Sequence, residues 1–136
     1  MIQAQADGKT RSVILADTAG QERFRELTSA SYKSVDAVFV VYAVDDAASF
    51  RNCDKWLGEI DRYVQNKSVP RLVLGNKADL AETRAVTADE GAAFAQARGL
   101  PFLETSAKTD QNVQDALTLA LTPPAKPTKS GCCVLL

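Results

Sequence analysis

Ala37-Val38-Phe39-Val40-Val41-Tyr42-Ala43-Val44 is the longest uninterrupted apolar run in the chain. Apolar and polar residues do not alternate along it, so a strand made from it has both faces buried, as in a parallel sheet covered by helices. It is also far short of the roughly 20 apolar residues that cross a bilayer as a helix. Val13-Ile14-Leu15-Ala16, Leu72-Val73-Leu74 and the short Phe102-Leu103 repeat the pattern. Between these strands the period changes. Phe50, Cys53, Leu57, Ile60 and Val64 recur at three- and four-residue spacing and predict a helix over 47–64. Thr87-Ala88-Asp89-Glu90 is a capping box, and the helix it opens is closed by Gly99 and Pro101. Val113, Ala116, Leu117, Ala120 and Leu121 line a last helix, which Pro123-Pro124 stop. Strands alternating with helices imply right-handed crossovers and a layered α/β fold. Asp7-Gly8 predicts a hairpin ahead of the first buried strand.

Composition narrows the chemistry. The 136 residues carry 16 Lys plus Arg against 17 Asp plus Glu, so a broad nucleic-acid footprint, which needs a basic excess, is not expected. There is no histidine, which excludes histidine triads, histidine zinc sites and histidine general bases. The three cysteines, Cys53, Cys132 and Cys133, make neither a disulfide framework nor a closed four-ligand zinc site, and they suit a reducing compartment. From Thr122 the chain is rich in Pro, Lys, Thr and Ser; residues 1–121 read as one domain and 122–136 as a flexible tail.

Open α/β sheets bind ligands at the carboxyl ends of their strands. After the first buried strand comes Asp17-Thr18-Ala19-Gly20-Gln21-Glu22-Arg23-Phe24. A carboxylate at a strand tip suits Mg²⁺, the glycine lets backbone approach a phosphate, and Gln21 can orient a water. After Leu72-Val73-Leu74 comes Gly75-Asn76-Lys77-Ala78-Asp79-Leu80. Asp79 can accept two hydrogen bonds from adjacent N–H groups on one edge of guanine, a donor pair adenine lacks. Asn76 can offer an amide to the same rings, and the stem of Lys77 can cover a face. The third segment, Glu104-Thr105-Ser106-Ala107-Lys108, follows Phe102-Leu103; there the Ala107 amide can meet the guanine carbonyl and Lys108 can stack from the other side. Each segment alone also reads as an ordinary polar turn.

In order and at this spacing, the three segments resemble those of a small GTPase of the Ras superfamily and, within it, the Rab family. The run from Asp17 to Arg25 resembles the second switch, Gly75 to Leu80 the guanine-specificity loop, Glu104 to Lys108 the third base-binding loop, and Trp56 to Ile60 part of the helix after the central strand. The resemblance implies GTP or GDP with Mg²⁺. It assigns Gln21 to catalysis, Asp17 to the metal, and Gly20, Asn76, Lys77, Asp79, Ser106, Ala107 and Lys108 to the nucleotide. It also implies a GTP/GDP switch in vesicle traffic, served by exchange and activating proteins. The end of the chain agrees: Cys133-Val134-Leu135-Leu136 fits a geranylgeranylation box, with Cys132 as a second acceptor. A single lipid holds a membrane only marginally, so two acceptors make the attachment stable. Location on the cytoplasmic face of intracellular membranes, and in the cytosol before prenylation, follows from the same resemblance.

One family motif does not occur. GxxxxGK[ST] needs two glycines five apart, and the glycines stand at 8, 20, 58, 75, 91, 99 and 131. Aligned on Asp7-Gly8, the family layout puts its first strand, phosphate loop and first switch ahead of Met1. The expected fold is therefore an incomplete P-loop NTPase, a Ras-like three-layer α/β/α domain without those parts. The missing strand lies in the middle of the family's sheet, so two apolar edges are expected to stand open. Two hydrogen bonds to a carboxylate contribute roughly 3–6 kcal/mol. Millimolar affinity already needs about 4 kcal/mol and nanomolar about 12, so nucleotide binding by these 136 residues is expected to be weak or absent. Ala16 and Ser31 also replace aromatics of the family's effector surface. An alternative product of the same sequence is a nucleotide-free, lipid-anchored protein that competes for the prenylation machinery.

Overall fold

The computed structural model describes residues 2–17, 35–64, 66, 68–122 and the backbone of 132–135. In chain order these form β1 (Ile2–Ala6), β2 (Lys9–Ala16), β3 (Ala37–Ala43), helix α1 (Ala47–Tyr63), β4 (Arg71–Asn76), α2 (Ala88–Gln96), β5 (Phe102–Glu104), α3 (Val113–Leu121) and β6 (Cys132–Leu135). The strands make one sheet in the order β1-β2-β6-β3-β4-β5. β1 is antiparallel to β2, and every other neighbouring pair is parallel. The hairpin turns through Asp7 and Gly8 at φ 53° and 69°, the left-handed pair that matches the twist of the flanking strands.

The continuous apolar run forms β3, and the two cores explain its pattern. Val38, Val40 and Tyr42 pack with Cys53, Leu57 and Ile60 of α1 and with Ala95 of α2. Phe39, with Leu72 and Leu74 of β4, packs on the other face against Ala116, Leu117, Ala120 and Leu121 of α3. Successive residues from Ala37 to Val40 thus enter opposite cores, which requires apolar side chains at both parities, while Val41 is exposed. The three layers are those the sequence predicts, and α1 and α2 start where the sequence places them. Asp46 Oδ1 accepts the Ala48 and Ser49 amides at 2.8 and 3.2 Å to open α1. At α2 the Glu90 amide donates to Thr87 Oγ1 at 3.2 Å while the Thr87 amide donates to Glu90 Oε2 at 2.8 Å. Among the described residues no helix is long and apolar enough to cross a membrane.

Cys132–Leu135, within the segment that the sequence reads as tail, form β6 and lie between β2 and β3, where the resemblance puts an amino-terminal strand. Val13, Ile14, Leu15 and Ala16 stand in register with Cys132, Cys133, Val134 and Leu135. On the other side Ala37 and Val38 stand in register with Val134 and Leu135. The edges expected to stand open are therefore paired over this stretch. The physical reason is hydrogen bonding: unpaired strand edges are templates for any short apolar segment within reach. Residues 123–131 and 136 lie outside the described residues.

Candidate functional site

The base-side loops are brought together by strand register. Gly75 of β4 faces Glu104 of β5, so the two chains leave the sheet side by side. The Thr105 amide donates to Gly75 O at 2.9 Å, and the Ala78 amide donates to Thr105 O at 3.0 Å. A Cβ at Gly75 would lie 2.8 Å from Tyr42 Oη, so the absence of a side chain lets the tyrosine fill the space beneath the loop. Lys77, at the bend, is left-handed with φ 63°.

Side chains then tie the loops across. Ser106 Oγ, fully buried, donates to Asp79 Oδ1 at 2.6 Å. That hydrogen bond is the main reason the Asp79 carboxyl lies below its ordinary range; its own amide and the charges of Lys108 and Lys77 act in the same direction, against some desolvation. At neutral pH Asp79 is thus an ionised acceptor, with lone pairs beyond the one that Ser106 occupies. Asn76 Oδ1 accepts the Ala107 amide at 3.3 Å and the Thr105 hydroxyl at 3.4 Å. Lys77 Nζ stands 3.4 Å from the Asp45 carboxylate at the end of β3, and Lys108 is exposed.

Supporting residues that sequence reasoning did not single out lie underneath. Asn112 Nδ2 donates to Glu104 O at 2.7 Å, Thr109 donates its amide to Ser106 Oγ at 3.2 Å, and the Arg84 guanidinium grips both Glu104 oxygens at 2.5 and 3.1 Å. Asn112 carried one usable signal, an asparagine directly before an apolar helix, where the chain adopts φ 56°. The Arg84–Glu104 pair, twenty residues apart, carried none.

Asp17 is exposed at the end of β2 and borders a cavity of about 540 Å³ alongside β3. Asn76, Thr105 and Ala107 give that cavity a polar end next to the base-side loops, and Leu15, Val38, Val41 and Leu117 give it apolar walls. It opens where the β6 pairing stops, since Val38 is the last β3 residue in register with that strand. Among the described residues no three His, Cys, Asp or Glu side chains converge as a metal site. A single carboxylate nonetheless suits Mg²⁺, which takes one or two protein carboxylates and completes its shell with phosphate and water. Gly20 and Gln21 lie outside the described residues. Hydrogen bonds join Ser106 to Asp79 and Ala107 to Asn76; Asp17 lines the same cavity as Asn76 and Ala107; Cys132 and Cys133 are in the sheet.

A model of the Ras family matches residues 1–123. The GTP-binding protein YPTM1 of Zea mays is 49% identical over 127 residues, 93% of this chain and 60% of its own length. The Ras-related protein RIC1 of Oryza sativa subsp. japonica is 50% identical over 117 residues, 85% of this chain and 57% of its own. The Ras-related protein RABD1 of Arabidopsis thaliana is 48% identical over the same coverage of each chain. The chain spans about 60% of the length of these curated relatives. With the family model matching 123 of the 136 residues and the relatives drawn from its Rab branch, the chain belongs to the Ras family, as a Rab-type small GTPase.

Proposed function

We propose that the chain is a guanine-nucleotide-binding protein of the Rab type that acts in vesicle traffic at membranes. Geranylgeranyl groups on Cys132 and Cys133 attach it, and prenylation, exchange and activating proteins serve it. The observation that carries this reading is the Ser106–Asp79 hydrogen bond together with the Asn76–Ala107 contact. They tie an ionised carboxylate to the loop that carries the Ala107 amide, and such a carboxylate suits the adjacent N–H groups of guanine and not the corresponding edge of adenine. Preorganised groups of this kind favour binding because little side-chain freedom is lost on association.

The phosphate side is represented among the described residues by Asp17, and GxxxxGK[ST] does not occur in the 136 residues. Affinity in this chain is therefore set by base recognition, in roughly the millimolar range. Hydrolysis of GTP belongs to a chain that carries a phosphate loop as well, with Asp17 as the Mg²⁺ ligand and Gln21 as the residue that orients water. When bound, Mg²⁺ neutralises phosphate charge.

Titration with a fluorescent GDP analogue tests the base site. The analogue is displaced by GDP and not by ADP, and Asp79→Ala removes that preference. Equal displacement by both nucleotides from the unaltered chain rejects the assignment.

A further inference from the structure

We propose that Asp45 is a positioning residue of the base site: it draws the Lys77 ammonium to the end of β3, which keeps that ammonium off Asp79 and leaves the carboxylate open to the N–H groups of guanine. The inference rests on the reading of Asn76, Lys77 and Asp79 as the guanine-side loop.

Asp45 lies outside the three motif segments, on a fixed stretch of backbone between β3 and α1. The Val44 amide donates to Asn76 O at 2.9 Å, and Val44 O accepts the Ala85 and Val86 amides at 2.8 and 3.0 Å. On the other side the Asp46 amide donates to Ala43 O at 3.0 Å, and the Asp46 carboxylate caps α1. Ser49 Oγ accepts the Ala43 amide at 3.0 Å and donates to Asp46 O at 2.7 Å. Both chain neighbours of Asp45 are thus held, one to the last residue of β4 and one to the helix. Since Ala43 is in register with Asn76, Asp45 and Lys77 leave neighbouring strands side by side.

The carboxylate meets Lys77 with both oxygens. Lys77 Nζ donates to Asp45 Oδ2 at 3.4 Å and lies 3.4 Å from Oδ1. Oδ1 is buried and has no hydrogen-bond partner among the described residues. The ammonium therefore supplies the compensation that a desolvated carboxylate oxygen needs.

A second carboxylate competes for the same ammonium. Lys77 and Asp79 lie in one turn, closed by the Leu80 amide on Lys77 O at 2.9 Å, and the charges of Lys108 and Lys77 both act on the Asp79 carboxyl. Ser106 already occupies one Asp79 lone pair. An ammonium folded onto the rest would take the acceptors that guanine needs. With Asp45 neutral, Asp79 is the anion left in that turn, and Lys77 turns to it. With Asp45 charged, the pull is divided and Asp79 stays available.

The full chain and its variants Asp45→Asn, Asp45→Glu, Lys77→Met and Asp45→Asn combined with Lys77→Met test this. Guanosine and adenosine monophosphates are titrated against each and followed by the amide shifts of Asp79 and Ala107. The two ligands carry equal charge, so the ratio of their dissociation constants isolates the base. Asp45→Asn is expected to lower the preference for the guanine nucleotide about 3- to 5-fold, the worth of one part-exposed ion pair. Asp45→Glu keeps the charge and keeps the preference. Added to Lys77→Met, Asp45→Asn has no further effect. Between about 0.1 and 1 M salt the preference of the unaltered chain declines while that of Asp45→Asn stays level, a response that a merely structural role for Asp45 does not produce. A preference unchanged by Asp45→Asn, or lowered equally with and without Lys77→Met, overturns the assignment. The ligand-free chain separates this result from the guanine reading. Followed by its carbon shift against pH, the Asp79 carboxyl is expected to titrate lower in Asp45→Asn, and by more than the same substitution achieves in Lys77→Met, because the released ammonium moves toward it. Equal displacement in the two backgrounds overturns the positioning role whatever the nucleotides do. An unaltered chain without guanine preference removes the guanine reading, while the titration still decides the hold of Asp45 on Lys77.

Discussion

Tyr42 shows how single side chains set the limits of this fold. Its ring fills the space beneath the guanine-side loop, 4.8 Å from the Phe50 ring by centroids, and among the described residues its buried hydroxyl has no hydrogen-bond partner. Gly75 and Gly91 both border it. Gly91 lies inside α2, where alanine is ordinarily favoured by about 1 kcal/mol. Here a Cβ would fall closest to Tyr42 Oη and 2.6 Å from Phe102 Cζ, and overpacking of that kind costs about 1–3 kcal/mol. The clash outweighs the propensity, so Gly91→Ala is expected to lower the urea midpoint. Tyr42→Phe removes an unpaired buried hydroxyl and is expected to be neutral or stabilising by about 1 kcal/mol. In the Tyr42→Phe background the cost of Gly91→Ala falls, because the nearest of the three obstructing atoms is gone. Additive effects in the double variant would show that Phe102 alone opposes the substitution.

Elements differ in how openly the sequence declares them. α2 is fully declared: Thr87 and Glu90 at the right spacing close the capping box, and Gly99 at φ 65° marks the exit. Thr87→Ala is expected to cost about 1 kcal/mol, measured by thermal unfolding. The Glu90 carboxyl lies below its ordinary range because the Thr87 amide, and then the Thr87 hydroxyl, hydrogen-bond it. That contribution is present above the ordinary carboxylate range and is lost as pH falls through the folded value. Glu90→Gln should therefore flatten the acid limb of the stability curve, and an unchanged limb would separate the carboxylate from the cap. β3 and the hairpin were legible for equally local reasons, a two-sided apolar run and an Asp-Gly turn. The loops at Asp17, Asn76 and Ser106 were legible as motifs, although their mutual hydrogen bonds were not. β6 was not legible at all. Cys-Cys-Val-Leu is four residues long and follows a Pro- and Lys-rich stretch, so nothing local distinguishes it from tail. What makes it a strand is the pair of edges on β2 and β3, more than ninety residues away in sequence for every register pair with it. A reading of local periodicity cannot contain that information.

At the scale of the whole molecule, the absence of histidine leaves no side chain with an ordinary pKa between about 5 and 8. Stability is therefore expected to be level across that range and to fall on both sides of it for different reasons. On the acid side Asp79 and Glu90 are held below their ordinary values, so the unfolded chain takes up protons first and stability falls with falling pH. On the alkaline side two groups of one core act together. Burial, followed by the Asp54 charge, pushes the Cys53 thiol up from 9.0 to about 11. Burial, followed by the Glu104 charge, pushes the Tyr42 phenol up from 10.0 to about 12. Both are neutral in the folded chain at a pH where the unfolded chain has begun to ionise, so the unfolded state binds fewer protons and stability falls as pH rises. The loss begins near the ordinary thiol value and is complete only above the folded ones. By about pH 10.5, Cys53 alone accounts for about 2 kcal/mol and Tyr42 for less than half of that. Urea midpoints measured from pH 8 to about pH 10.5 are expected to decline by that amount. Cys53→Ala should remove the larger share of the decline even where it lowers the midpoint at pH 8, because the slope reports the thiol and the offset reports the packing. A decline unchanged by Cys53→Ala would assign the alkaline limb to groups outside this core.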